Sequence, residues 1–227
     1  MAIVSVKQAV RTYDQGAQQV HALRGLDLEI EAGEFSAIMG PSGSGKTTLL
    51  NLIGGLDRPT SGTVVVDGEE VSAMTKTQRS DLRRGRIGFI FQSYNLVPVL
   101  TARENAEFVL MLQGMDPAER ARIATETLAA VGLAGMEDRR PNELSGGQQQ
   151  RVAIARAIAS KPAIVLADEP TANVDSETKA ELLDLMKKLN EERGVTFLFS
   201  THDPEVIQAA TRVITVRDGT VASDQRK

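Results

Sequence analysis

The chain has no cysteine and no tryptophan, and only 4% of its 227 residues are aromatic. Without cysteine there is no disulfide framework, no thiolate metal site and no cysteine nucleophile. A chain of this length buries enough surface to fold without such staples. Long apolar runs are also missing. The longest, residues 108–112 and 163–167, have five residues each, against the ~20 needed to cross a bilayer, so no membrane span is expected. The opening stretch, MAIVSVKQAVRTYD, has no apolar segment behind its positive charges and is read as no secretory signal. Nor is there a basic excess: 26 Lys and Arg against 30 Asp and Glu give a net charge of −4. Nucleic-acid binding rests on neutralising phosphates with a basic surface, so no nucleic-acid partner is expected.

What is present is ordinary for a folded protein, with 41% apolar and 25% charged residues. The first third reads as short strands around residues 3–6, 26–30, 35–39 and 63–66, separated by glycine-containing turns. Residues 94–160 read as mostly helical. Thr101 with Glu104 makes a capping box, and Asp116, Pro117 and Glu119 mark a second helix start that stops near Gly132. Beyond Pro162, residues 164–166 and 195–199 are apolar runs of strand length. They bracket a helix with Leu182, Met186 and Leu189 on one face. Wholly apolar strands alternating with a helix predict a parallel sheet covered on both sides. The expected architecture is an α/β sheet domain built from both ends of the chain, with a helical insertion between them.

Gly40-Pro41-Ser42-Gly43-Ser44-Gly45-Lys46-Thr47 fits GxxxxGK(S/T) in full, with a strand before it and a helix after it. Glycines let successive N–H groups turn inward around phosphate oxygens, and the helix N-terminus adds positive potential. Lys46 is expected to reach the β- and γ-phosphates and Thr47 to bind Mg²⁺. A glycine-rich turn that merely caps a helix is the bland alternative, and the strand–loop–helix context disfavours it. The pattern predicts binding of a nucleoside triphosphate.

The run 163–167 leads into Asp168-Glu169. Carboxyl ends of parallel strands open onto the ligand crevice, so Asp168 is expected to hold Mg²⁺ and Glu169 to take a proton from an attacking water. Alone, two acids after a strand would be solvated turn residues; beside a complete phosphate loop the functional reading is the better one. Leu144-Ser145-Gly146-Gly147-Gln148 precedes a further helix. Ser145 would cap it, while Gly146 and Gly147 leave its N–H groups bare for an anion.

Taken together, these motifs resemble the ATP-binding-cassette nucleotide-binding domains over essentially the whole chain. The resemblance implies a P-loop NTPase (RecA-like) α/β fold: a mostly parallel sheet core, an N-terminal antiparallel β subdomain and a helical insertion. The single domain 1–227 would then divide into a catalytic core (1–93 and 160–227) and a helical signature subdomain (94–159). It further implies ATP and Mg²⁺ as cofactors, ATP hydrolysis, and a head-to-tail homodimer in which the signature of one chain closes over the γ-phosphate held by the other. Tyr13 matches the aromatic that stacks on adenine, and the phosphate loop with Thr48 completes the cradle. Gln92 matches the glutamine that touches Mg²⁺ and the attacking water, His202 the switch histidine at the γ-phosphate, and Asp175 the D-loop aspartate. Ser145, Gly146, Gly147 and Gln148 belong to the signature. The D-loop, Thr171-Ala172-Asn173-Val174-Asp175, departs from the commoner SALD form and leaves the contacts of Asn173 open.

Residues 86–98, 51–62 and 147–157 resemble the macrolide-exporter and lipoprotein-releasing (MacB/LolD) group. This implies a separately encoded transmembrane permease and a cytoplasmic location, peripheral on the inner face of the membrane. The alternatives are a cassette that regulates a membrane partner without moving cargo, as in cell division, and a soluble non-transport cassette ATPase. Of the apolar set Leu96, Val97, Val99, Leu100, Phe108 and Leu112, most are expected in the core of the insertion and some in a groove for a permease helix. Arg79, Arg83, Arg84 and Arg86 are read as a solvated face rather than a lipid contact.

Overall fold

Strands β3 (Phe35–Met39), β7 (Ile164–Asp168) and β8 (Phe197–Ser200) explain why the apolar runs lack a polar face. Phe35, Ala37, Val165, Ala167, Phe197 and Phe199 point into one core, whereas Ile38, Ile164, Leu166 and Leu198 point into another. A period-two strand covered on both sides is largely apolar on both faces, with buried Ser36 of β3 and Ser200 of β8 as the small polar exceptions. The computed structural model describes residues 2–16 and 18–227. Its main sheet has six strands in the order β10-β9-β3-β8-β7-β6, with β6 at Ile87–Phe91, β9 at Arg212–Arg217 and β10 at Thr220–Arg226. All pairings in it are parallel except β9 with β10. A second, antiparallel sheet runs β2-β1-β4-β5, from Ala2–Gln15 (β1), Gln18–Glu31 (β2), Ser61–Val66 (β4) and Glu69–Glu70 (β5).

One core joins the antiparallel sheet and α1 (Lys46–Ile53) to the main sheet. The other joins the opposite face to α3 (Ala102–Leu112), α4 (Pro117–Ala130), α5 (Gly146–Ile158), α6 (Ser176–Arg193) and α7 (Pro204–Ala209). Phe35 packs tilted against Phe199, with ring centroids 4.7 Å apart, and edge-on to Phe197 at 5.6 Å. The expected caps form. Thr101 and Glu104 exchange bonds at the start of α3, and Asp116 accepts from Ala118 and Glu119 at the start of α4; each cap contributes about 1 kcal/mol.

Three readings need correction. The first hairpin is two 14-residue strands, not two short ones, with register shifts along β1. The segment Lys76–Arg86, read only as a charge cluster, is a helix (α2) with a Thr75–Gln78 capping box and a single buried residue, Leu82. Its polar composition hides any apolar stripe. Arg79 and Arg83 are half-buried and donate to the Gly55 carbonyl at 3.4 and 2.7 Å, so this part of the set clamps the turn after α1. Burial, reinforced by Arg79, holds the Arg83 guanidinium below its ordinary value. Finally, none of the six apolar residues after Gln92 is fully buried. The ladder Ala102, Ala106 and Leu110 takes the inward face of α3, and this turns Phe108 and Leu112 outward. Buried Asn105 organises the preceding loop, donating to Val97, Leu100 and Thr101 carbonyls and accepting from the Val97 N–H.

Candidate active site

The sheet order puts the carboxyl ends of β3, β8, β7 and β6 side by side. The phosphate loop, Thr201-His202, Asp168-Glu169 and Gln92 follow those ends in turn. They converge on a cavity of about 800 Å³ lined by residues 40–48, Gln92, Asp168, Glu169, Ser200 and His202 at one end, and by Tyr13, Val20, His21 and Ala22 at the other.

Glycine is required in the loop by space as well as by conformation. Gly40 and Gly45 have φ of 152° and 106°, and a Cβ would lie 2.1 Å from the Val216 carbonyl oxygen and 2.5 Å from that of Ala22. Gly45 caps α1 without a side-chain hydrogen bond, so the helix N–H groups stay available to an anion. The Lys46 ammonium donates to the carbonyls of Gly40 at 2.7 Å and Pro41 at 3.1 Å. Thr47 Oγ1 donates to Asp168 Oδ2 at 3.5 Å.

Glu169 is a non-glycine residue with φ of 47°. Such strain persists only where neighbours over-determine it, and here they do. Its N–H donates to the Ser200 carbonyl, Thr201 Oγ1 donates to Oε2 at 2.9 Å, and the His202 N–H and Nδ1 meet Oε1 at 3.2 and 2.6 Å. Buried Gln150 of α5 donates to the Pro170 carbonyl just beyond. His202 itself is exposed.

Ser145, Gly146, Gly147, Gln148 and Asp175 do not line this cavity. Ser145 caps α5, and the Gln148 side chain returns the bond to the Ser145 N–H. The glycines also serve packing: a Cβ on Gly146 would lie 2.9 Å from Tyr94 Oη, and one on Gly147 2.3 Å from Thr178 Cγ2. Asp175 caps α6, accepting from Thr178 N–H and Oγ1, and these bonds hold its carboxyl below the usual range. The side chain of Asn173 donates to the Gln92 carbonyl at 3.0 Å, while Tyr94 Oη donates to the Asn173 carbonyl at 2.9 Å. Arg156 of α5 holds the Tyr94 and Asn95 carbonyls, both residues having positive φ.

The family model described as ABC transporter matches residues 23–172, a span that runs from β2 through the phosphate loop and signature to Ala172. The chain belongs to the ABC transporter family. It is an ATP-binding cassette with ATPase function, the energy-supplying part of a transporter. A shorter match, over residues 137–208, is to a model described as AAA domain, putative AbiEii toxin, Type IV TA system. The cassette is 49% identical to an uncharacterized ABC transporter ATP-binding protein of Thermotoga maritima, over 96% of this chain and 92% of that one. It is 47% identical to the macrolide export ATP-binding/permease protein MacB of Syntrophobacter fumaroxidans, over 97% of the chain but only 31% of that longer protein. Among solved structures it superposes on the dimeric cassette MJ0796 in a post-hydrolysis state bound to ADP and Pi, with a TM-score of 0.90, 45% identity and 98% of both chains covered. MJ0796 is a protein of Methanocaldococcus jannaschii.

Every residue expected in the cassette's own nucleotide cleft lines the cavity. Val20, His21, Ala22 and Ser200 line it too and went unread. The hairpin register, which pairs Tyr13 with Val20, would have found the first three.

Proposed function

We propose that two copies of this chain close head to tail around two ATP molecules, and that this closure drives a separately encoded permease in export or in extraction of an envelope substrate. The observation that carries the dimer is the position of the signature: its helix end lies outside the chain's own nucleotide cavity, so a phosphate bound there belongs to a second copy. The dimeric state of MJ0796 and the similarity to MacB support the same reading.

In the reaction, Lys46 and the loop N–H groups balance charge on the β- and γ-phosphates. Glu169, locked by Thr201 and His202, polarises the attacking water, and Gln92 orients it. His202 closes over the γ-phosphate from the adjacent strand end. Thr47, Asp168 and Gln92 offer a hydroxyl, a carboxylate and an amide oxygen; this small set of hard donors fits Mg²⁺, which keeps waters and phosphate oxygens as its other ligands. When bound, the ion neutralises phosphate charge.

For the permease, the fitting surface is a cleft of about 440 Å³ between β6, α2, α3 and α5. Phe89, Phe108 and Leu112 line it, as do Asn95 and Arg156, which connect it to the Tyr94–Asn173 contact. Leu112, 49% exposed, and Val99, 72% exposed, lie on the same insertion. The test is an affinity pull-down of tagged Glu169→Gln from detergent-solubilised source membranes with ATP. A permease of few spans with a large extracytoplasmic domain is the expected partner. Recovery of soluble or ribosomal proteins alone overturns the transport reading.

A further inference from the structure

Tyr13 is held on β1 by more than its backbone. Its hydroxyl donates to Asp57 Oδ2 at 2.8 Å. Arg11, two residues back on the same side of β1, grips the same carboxylate with Nε at 2.7 Å and Nη2 at 3.0 Å. The Arg11 guanidinium carbon stands 4.3 Å from the centroid of the Tyr13 ring. One π-face is therefore taken by a cation, and Tyr13 is one of the residues that line the cavity. Asp57 is fixed in turn: its N–H donates to the Asn51 carbonyl at the end of α1, and its Oδ1 accepts the Arg58 N–H. Burial works against its charge, but Arg58, Tyr13 and Arg11 outweigh it and hold the carboxyl below its ordinary range.

The consequence is mechanical. Helix α1 begins at the phosphate loop and ends at the turn carrying Asp57. The tether thus sets the ring at a fixed distance from the phosphates. A cation on the back face also draws on the ring's quadrupole, and the free face becomes less repulsive to an electron-rich purine.

We propose that Arg11 and Asp57 are positioning residues that hold Tyr13 as a rigid platform for the nucleotide base. This rests on the reading of Tyr13 as the adenine-stacking residue, and the experiment separates the two. Equilibrium binding of Mg²⁺–ATP is compared with that of Mg²⁺–tripolyphosphate, which has no base, for wild type, Tyr13→Ala, Tyr13→Phe and Asp57→Ala. Stacking of a base on an aromatic is worth roughly 10-fold or more in affinity, so Tyr13→Ala is expected to weaken ATP by about that factor and leave tripolyphosphate unchanged. Tyr13→Phe, which removes only the hydroxyl, is expected to weaken ATP by roughly 3–5-fold, as one lost hydrogen bond predicts, and Asp57→Ala, which also frees Arg11, by at least as much, both without effect on tripolyphosphate.

If Tyr13→Ala weakens ATP while Asp57→Ala and Tyr13→Phe bind as wild type, the tether is overturned and the platform stands. An unchanged ATP affinity in Tyr13→Ala overturns both. Equal weakening of ATP and tripolyphosphate in Asp57→Ala assigns Asp57 to the fold of α1 and overturns the proposal. Arg11→Lys keeps a cation over the ring without the two-pronged grip, and its expected ATP affinity lies between wild type and Asp57→Ala; an affinity no better than that of Asp57→Ala removes the cation from the argument.

Discussion

His202 Nδ1 lies 2.6 Å from Glu169 Oε1, although the two residues follow different strands. The contact joins the acid at the end of β7 to the loop after β8, so movement of either is felt by the other. Glu169→Gln keeps the shape and removes the base. Its ATP hydrolysis is expected to fall by about 10²–10⁴-fold, with an ATP-bound dimer accumulating on size-exclusion chromatography. An unchanged rate would contradict the role given to Glu169.

Thr201 is fully buried and its Oγ1 donates to the other Glu169 oxygen. Thr201→Val retains volume and removes that donor. A carboxylate freed from one of its bonds is expected to lower kcat by roughly 5–10-fold with little change in KM for ATP. A rise in KM alone would assign the hydroxyl to nucleotide binding.

Two bonds tie the D-loop to the segment after β6: Tyr94 Oη donates to the Asn173 carbonyl, and the Asn173 side chain donates to the Gln92 carbonyl. Asn173→Asp is nearly isosteric but has no donor for the Gln92 carbonyl, and Tyr94→Phe lacks the hydroxyl. If the pair acts as one lock, each variant slows hydrolysis about 5-fold and the double variant is no slower than the worse single. Additive losses in that cycle would mean two independent contacts.

Gly147→Ala brings a methyl to within 2.3 Å of Thr178 Cγ2, on a side chain pinned by Asp175. We expect a loss of about 1–3 kcal/mol in unfolding free energy, read by denaturant titration. Thr178→Ser removes only the clashing methyl and should restore most of it. Failure to restore would place the strain in the backbone of α5.

Lys179 donates to Asp203 at 2.7 Å, linking α6 to the helix start after His202. Burial raises the Asp203 carboxyl, but Lys179 and the Glu205 N–H outweigh it and hold it below its ordinary value. A group depressed in the folded state stabilises above its unfolded pKa, near 4, and that contribution disappears as pH falls through the folded value. Lys179→Met is therefore expected to melt below wild type at pH 7, with the gap narrowing as pH falls through the depressed folded value of Asp203.

Much of this was legible in the sequence because it depends on short patterns. The phosphate loop needs glycine where a Cβ has no room, and the strand before it needs apolar residues on both faces. Gly40 and Ile38 therefore announce themselves. Long-range partners did not. Nothing in the spacing of Arg11, Tyr13 and Asp57 indicates that they meet, since their contact depends on how β1 lies beside the turn after α1. Helix α2 was missed because only Leu82 is buried on it, which leaves no stripe to detect. The outward turn of Phe108 and Leu112 was hidden for the opposite reason: alanines, weak in any hydrophobic pattern, hold the inward face of α3.

The row of strand ends has a last consequence. Neighbouring strands lie about 4.8 Å apart, and this pitch sets the spacing of groups drawn from position 40 to position 202. The order in which the chain visits the strands has no part in it. A permuted chain, with its ends joined and a new opening cut in a crossover such as the turn before β7, is expected to reassemble the same row, whereas deleting one residue inside β7 would turn Asp168 away from Thr47.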